Sequence, residues 1–500
     1  FGSSSLLSKG YERVGVLLQT PSPLPAWQGV GELAVLCALA SKQGRVAHPL
    51  ACVPPLAAVL MGCAAGKGSI RVHEVRRRLS LGEVDVGPES DNNTVNVTEE
   101  DRQLLLQLSE QQILMYCTES SDRKFSVGSE TDKGMSKVPS GSAKDCSHHG
   151  DPFDPTKECV GFVCKKGLKP ESPNQDSFFI MKVEGRFSLY GVFDGHGRKG
   201  HDISNFVKEN LPKLLLQEIT AIANDPCQAL RVAFEKTQSL IEKATQMQHV
   251  DAMRSGTTAS VVLHFHKDRM LYVAHVGDSR VVLGRQTPET CSEPTWEAVD
   301  MTQDHKPNLP EERARIEKAG GVVTFDGGWN YRVYVKGKRD ARGKRYPGLN
   351  MSRSMGDMAG FYDAGISAIP DVNARALSPN SKGSEKKALK DKGSDESLVK
   401  GRAEDRKNSQ TSTSEASCGS RPSVSSYSID PTNDKVLLLC SDGVWEFISS
   451  QEAITAVSAF NKSEATAAAE HLANMAWERW THELEGEVVD DITALVIHLR

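Results

Sequence analysis

Short apolar runs that open or close on aspartate constrain this chain more than any other feature of its sequence. Asn174-Gln175-Asp176 precedes the run 178–183, and Phe187–Phe193 leads into Asp194-Gly195-His196-Gly197. The run 436–440 leads into Ser441-Asp442-Gly443, and Asp490-Asp491 precedes a last run over 492–499. Such runs, rich in β-branched residues and bounded by turn residues, read as strands. Taken singly, an Asp-Gly pair is what an ordinary turn uses. Repeated at strand ends, the pattern says more. A carboxylate there is rigidly aimed, and several that converge supply hard oxygen ligands suited to Mg²⁺ or Mn²⁺ rather than to soft metals. The following glycine permits a tight turn and lets a carbonyl approach an ion.

Further strands are predicted at 258–265, 270–276 and 280–283, between helical patterns at 201–222, 226–246 and 311–319, the last stopped by Gly320-Gly321. Two more helices follow at 451–459 and 464–481, so the class is α+β. Ahead of these two helices, 378–428 is dominated by Ser, Lys, Glu, Asp and Gly, with Tyr427 as its only aromatic. It is expected to be a disordered insertion within one domain, since it cannot bury enough apolar surface to offset its ordering entropy. Upstream, Thr98-Glu99-Glu100-Asp101 caps a leucine-rich helix over 98–116, which packs on the main domain or regulates it, and 118–157 reads as linker. The first 60 residues contain no Met, and Met61 opens Met61-Gly62-Cys63. One reading makes 1–60 a non-native upstream segment and 61–157 an N-terminal extension. Gly62 would then carry a myristoyl group and Cys63 a palmitoyl group, tethering a cytoplasmic protein to a membrane. Gly66 stands where such motifs carry Ser or Thr, and with residues upstream of Met61 the alternative is that Gly62 is simply internal.

Acidic residues outnumber basic ones, 65 to 60, for a net charge of −5. No whole-chain positive field exists to collect phosphates, which argues against a nucleic-acid binder. The 11 cysteines form no recognisable framework and point to free thiols in a reducing compartment. Cys146, His148, His149, Cys159 and Cys164 match no standard zinc module.

Seven motifs occur in order. They are Asp194-Gly195-His196-Gly197; Ser255-Gly256-Thr257-Thr258-Ala259; Val276-Gly277-Asp278-Ser279-Arg280; Gln303-Asp304-His305-Lys306-Pro307; Gly348 to Asp357; Cys440 to Trp445; and Asp490-Asp491-Ile492-Thr493. This succession closely resembles the protein phosphatase 2C family of metal-dependent Ser/Thr phosphatases over 158–499, the insertion excepted. The resemblance implies an α-β-β-α sandwich of two antiparallel sheets flanked by helices, with a two-metal centre at one edge. It implies that Asp194 bridges two Mg²⁺ or Mn²⁺ ions, that the Gly195 carbonyl holds one, and that Asp442 and Asp490 hold the other. Asp176 would act one layer out through water. Asp251, four residues before Ser255, matches a variant placement of the acid serving a weaker third ion. A water activated by the metals would attack phosphoserine or phosphothreonine, and His196 would protonate the leaving alkoxide.

Two departures stand out. Glu171 occupies the place of a common phosphate-gripping Arg, leaving Lys169 as a substitute or as an ordinary solvated lysine, with Arg186 or the metals as other sources of grip. His275 stands where Asn is frequent. The stretch 326–347, with Lys336, Lys338, Arg339, Arg342, Lys344 and Arg345, resembles the family's flap and would either attract acidic or phosphorylated segments or remain a solvated loop. Phosphorylated proteins are thus the expected partners of a monomer. A phosphatase-fold binding module without turnover is the alternative; a metal phosphodiesterase or nuclease is disfavoured by the full motif set.

Overall fold

Phe178 and Ile180 point one way from their strand while Phe179, Met181 and Val183 point the other, and both faces are buried. A strand buried on both faces reads as a continuous apolar run, and here the cause is a sheet packed between a second sheet and helices. The computed structural model describes residues 96–117, 122–130, 139–168, 173–218, 222, 224–286, 295–328, 330–375, 427–428 and 433–499. The chain divides into two units, Phe1–Gly68 and Ser69–Arg500, and every described residue belongs to the second. The readings placed on 1–60, Met61, Gly62 and Cys63, on Lys169 and Glu171, and on most of 378–428 lie outside the described residues.

The first sheet runs, in order, Asp371–Arg375, Met270–Val276, Ala259–Phe265, Phe187–Phe193, Ser177–Val183, Lys124–Ser129 and Cys146–Gly150, with Tyr427–Ser428 also paired to Met270–Val276. The second runs Trp296–Asp300, Arg280–Gln286, Asp434–Cys440, Ile492–His498 and Val160–Lys165. All pairings within both sheets are antiparallel. Phe178, Ile180, Val192 and Val273 of the first sheet interlock with Val281, Leu437, Leu439 and Leu495 of the second. Helices Gly200–Gln217 and Pro226–Gln246 cover the outer face of the first sheet. Helices Ser450–Ser458 and Ala465–Glu483 cover the outer face of the second. This is the α-β-β-α sandwich that the resemblance implied.

The capping box at Thr98 forms: the Asp101 amide donates to Thr98 Oγ1 (3.2 Å) and the Thr98 amide to Asp101 Oδ2 (2.9 Å). Helix Glu99–Glu110 stops short of the expected 116 because Gln111 turns extended, and a separate 3₁₀ turn, Ile113–Tyr116, follows. Leu108 is fully buried, and Asp101 pairs with Lys243 at 2.6 Å, so the helix is docked on the domain. The linker reading of 118–157 is corrected, and the folded domain begins well before 158. Lys124–Ser129 and Cys146–Gly150 add two strands to the first sheet. Phe125 and Val127 enter the inter-sheet core, whereas the edge strand has no apolar run for sequence reading to detect.

Candidate active site

Strand register brings the aspartates together. Ser177 lies opposite Phe193, Ala259 opposite Val276, Arg280 opposite Cys440, and Cys440 opposite Ala494. The start of each strand therefore meets the end of its neighbour, and Asp176, Asp194, Asp278, Asp442 and Asp490 all emerge at one end of the sandwich. Arg186 precedes the far end of Phe187–Phe193, about 26 Å from Asp194 at roughly 3.3 Å per residue, so it does not grip a substrate there.

Each acid has its own support. Asp176 Oδ2 accepts hydrogen bonds from Thr493 Oγ1 (2.7 Å) and Ser441 Oγ (2.8 Å), while its Oδ1 is buried without a partner. The Asp194 amide donates to Thr258 Oγ1 at 2.9 Å. Asp491 is tied into the scaffold by the amides of Gly167 and Gln175, each at 2.8 Å. Its neighbour Asp490 accepts from the Asp491 amide at 2.7 Å and adds its charge to that around Asp194 and Asp442. Gly443 is tight against this pair: a Cβ there would lie 2.0 Å from the Asp491 carbonyl oxygen. Asp278, to which sequence reading gave no role, is buried, accepts from Lys306 Nζ at 2.5 Å, and leaves Oδ1 unpartnered. It had the same signal as the others, an acid just past a strand end.

Crowding shows in proton affinity. Burial, then repulsion from Asp442, Asp176 and Asp490, holds Asp194 well above the usual carboxylate range. Burial, then Asp278 and Asp490, does the same to Asp442. Asp176 is pushed up to about 7 by burial and by Asp491. Asp194 and Asp442 repel each other, and a cation between them would relieve that repulsion. Among the described residues no three such side chains already close on one point. Strand register sets their proximity, and side-chain rotation would close them on an ion. A set of hard oxygens, mutually repelling and partly unpartnered, fits divalent cations such as Mg²⁺ or Mn²⁺. Asp251 differs from these buried acids: it is exposed, and its carboxylate accepts from the Met253 amide at 3.3 Å.

Gly195 and His196 form a two-residue strand paired to Gly256–Thr257, which in turn pairs with Met355–Gly356. This small sheet sets His196 Nε2 at 2.6 Å from Asp357 Oδ2, which also accepts from Ser354 Oγ at 2.5 Å. Burial lowers the proton affinity of His196, but the charge and hydrogen bond of Asp357 outweigh it and the net shift is upward. His196 Nδ1 is buried without a partner. Asp357 closes the motif Gly348 to Asp357, which by itself points to no role for it; 161 residues separate it from His196, and only folding pairs them. A Cβ on Gly256 would come within 2.2 Å of Asp357 Oδ2, so glycine is required for this approach. The zinc candidates do not assemble: His148 Nε2 contacts the Asp151 carbonyl at 2.8 Å, and Cys164 is buried beside Thr493. His275 stacks on His305 with ring centroids 4.3 Å apart.

A family model for protein phosphatase 2C matches residues 169–483. The probable protein phosphatase 2C 34 of Arabidopsis thaliana is 29% identical over 343 residues, covering 65% of this chain and 76% of its own length. The probable protein phosphatase 2C 2 of Paramecium tetraurelia is 35% identical over 210 residues, covering 39% of this chain and 60% of its own. Among solved structures, a serine-threonine phosphatase 2C from Toxoplasma gondii superposes with a TM-score of 0.49 at 20% identity, covering 68% of this chain and 94% of that one. Because the family model spans well over half of the sequence and takes in Asp176, Asp194, Asp278 and Asp442, the chain belongs to the protein phosphatase 2C family.

Proposed function

We propose that this chain is a Mg²⁺- or Mn²⁺-dependent protein phosphatase acting on phosphoserine and phosphothreonine. The observation that carries the proposal is the gathering of five aspartates at one end of the sandwich, three of them with raised proton affinity. Asp194, Asp442, Asp490 and the Gly195 carbonyl would hold the cations. Divalent ions so held would supply an acidified water and would offset charge on the phosphoryl oxygens. Asp176, fixed by Ser441 and Thr493, offers its unpartnered Oδ1 to orient water. His196, held through Nε2 by Asp357, delivers a proton from Nδ1 to the leaving alkoxide. The test is hydrolysis of a phosphothreonine peptide with Mn²⁺, with EDTA, and by Asp442→Asn. Turnover lost in both controls supports the proposal. A folded, Mn²⁺-loaded wild type that turns over no member of a phosphopeptide panel sinks it and leaves a binding module.

A further inference from the structure

We propose that the loop 336–345 selects phosphoproteins carrying acidic side chains close to the phosphorylated residue, an inference that rests on the function proposed above. The loop holds Lys336, Lys338, Arg339, Arg342, Lys344 and Arg345, all exposed, against one acid, Asp340. Ten residues thus carry a formal charge of +5 in a chain whose net charge is −5. That single acid is already engaged. Asp340 Oδ1 accepts from the loop's own amides at Lys344 (2.7 Å) and Arg342 (3.1 Å), which shapes the turn. Its Oδ2 faces Arg254 at 3.5 Å.

Arg254 places the loop. Its guanidinium also lies over the Tyr346 ring, 5.0 Å from the centroid. Its backbone belongs to the lip of the candidate active site. A Cβ on Gly197 would lie 2.4 Å from the Arg254 carbonyl oxygen, and the adjoining Ser255 Oγ accepts from the Lys199 amide at 2.9 Å. Arg254 therefore fastens the basic loop beside the turn that carries Asp194 and His196. An extended peptide advances about 3.3 Å per residue, so acids a few positions from the phosphorylated residue come within reach of the loop. Long-range attraction between the loop and such a segment raises encounter and lowers KM without touching the chemical step.

The experiment uses the full chain with Mn²⁺ and three matched phosphothreonine peptides whose flanking positions are acidic, neutral or basic, at low and high salt. Hydrolysis gives kcat and KM, and fluorescence anisotropy gives binding of the same peptides without relying on turnover. The expected result is a preference for the acidic peptide of about fivefold per acid engaged, expressed in KM and shrinking with salt. In the double variant Arg342→Glu, Lys344→Glu the acidic-to-neutral ratio falls to one or inverts, and Arg254→Ala weakens the preference by unfastening the loop. A ratio unchanged by the double variant overturns the proposal. So does displacement of the acidic peptide by a single-stranded oligonucleotide of equal charge at lower concentration, which would mark a nucleic-acid surface. Absence of turnover on all peptides and on an aryl phosphate would refute the proposed function, while the anisotropy ratio would still decide the role of the loop.

Discussion

Replacing Asp357 by Asn tests whether His196 acts as an acid or only fills space. The substitution keeps shape and leaves an acceptor oxygen for His196 Nε2 and Ser354 Oγ, but it removes a charge that is 1% exposed and lies 2.6 Å from the imidazole. A hydrogen bond to a charged group contributes about 1.5–3 kcal/mol. Lost from the state in which His196 carries its proton, that is roughly 10- to 150-fold in rate, at about 1.4 kcal/mol per factor of ten. The loss should depend on the leaving group. A serine or threonine alkoxide needs a proton, whereas p-nitrophenolate leaves without one. The expected result is a fall in kcat of about 10- to 150-fold on a phosphothreonine peptide and little change on p-nitrophenyl phosphate, with an unchanged melting temperature. His196→Gln should reproduce the same split. Equal losses on both substrates would refute the reasoning, because they would mean that the pair merely holds the small sheet together.

Four other outcomes follow from particular contacts. Asp194→Asn relieves repulsion among buried acids, so without divalent ions the variant should melt no lower than the wild type. With Mn²⁺ at a hundredfold excess over Kd it should lack the stabilisation of about 2.7 kcal/mol expected of the wild type, as calorimetry would show. Glu312 is held down at about 2 because Arg353 and Arg315 outweigh the cost of its burial. A depressed carboxylate stabilises the fold above its ordinary value of 4.5 and loses that contribution as pH falls toward about 2, here roughly 3 kcal/mol, so acid unfolding of Glu312→Gln should be less steep over that interval. Gly443→Ala places a methyl 2.0 Å from a backbone oxygen that cannot swing aside, and a destabilisation of about 3 kcal/mol or more should appear in denaturant melts. Gly256→Ala pushes on Asp357, and its activity profile across the two substrates should resemble that of Asp357→Asn.

Much of the site was legible because its residues carry a local sign. Asp176, Asp194, Asp442 and Asp490 each adjoin an apolar run, and that run is apolar throughout because both faces of its strand are buried. Alternation and apolar runs locate strands but do not pair them; the order of strands came from the family resemblance, and nothing in periodicity alone would have placed Ile492–His498 between Asp434–Cys440 and Val160–Lys165. Strand Cys146–Gly150 went unread for the opposite reason. It lies at the sheet's edge with alternate residues exposed, so its sequence, Cys-Ser-His-His-Gly, carries no hydrophobic period.

The residues given no role in the sequence reading share a different cause. Asp357 reaches His196 across 161 positions, and Lys306 reaches Asp278 across 28. Neither pair has a spacing that a helix or hairpin would impose, because each is made where separate strands end on one rim. Once antiparallel register is known, the rim can be deduced: starts lie beside ends, so acids preceding some strands and following others must meet. The same reasoning places the basic loop, since Arg254 sits two residues before a strand that begins on that rim. Chemistry and selectivity therefore share one boundary of the sandwich, and a change that shifted strand register there by one residue would disturb both together.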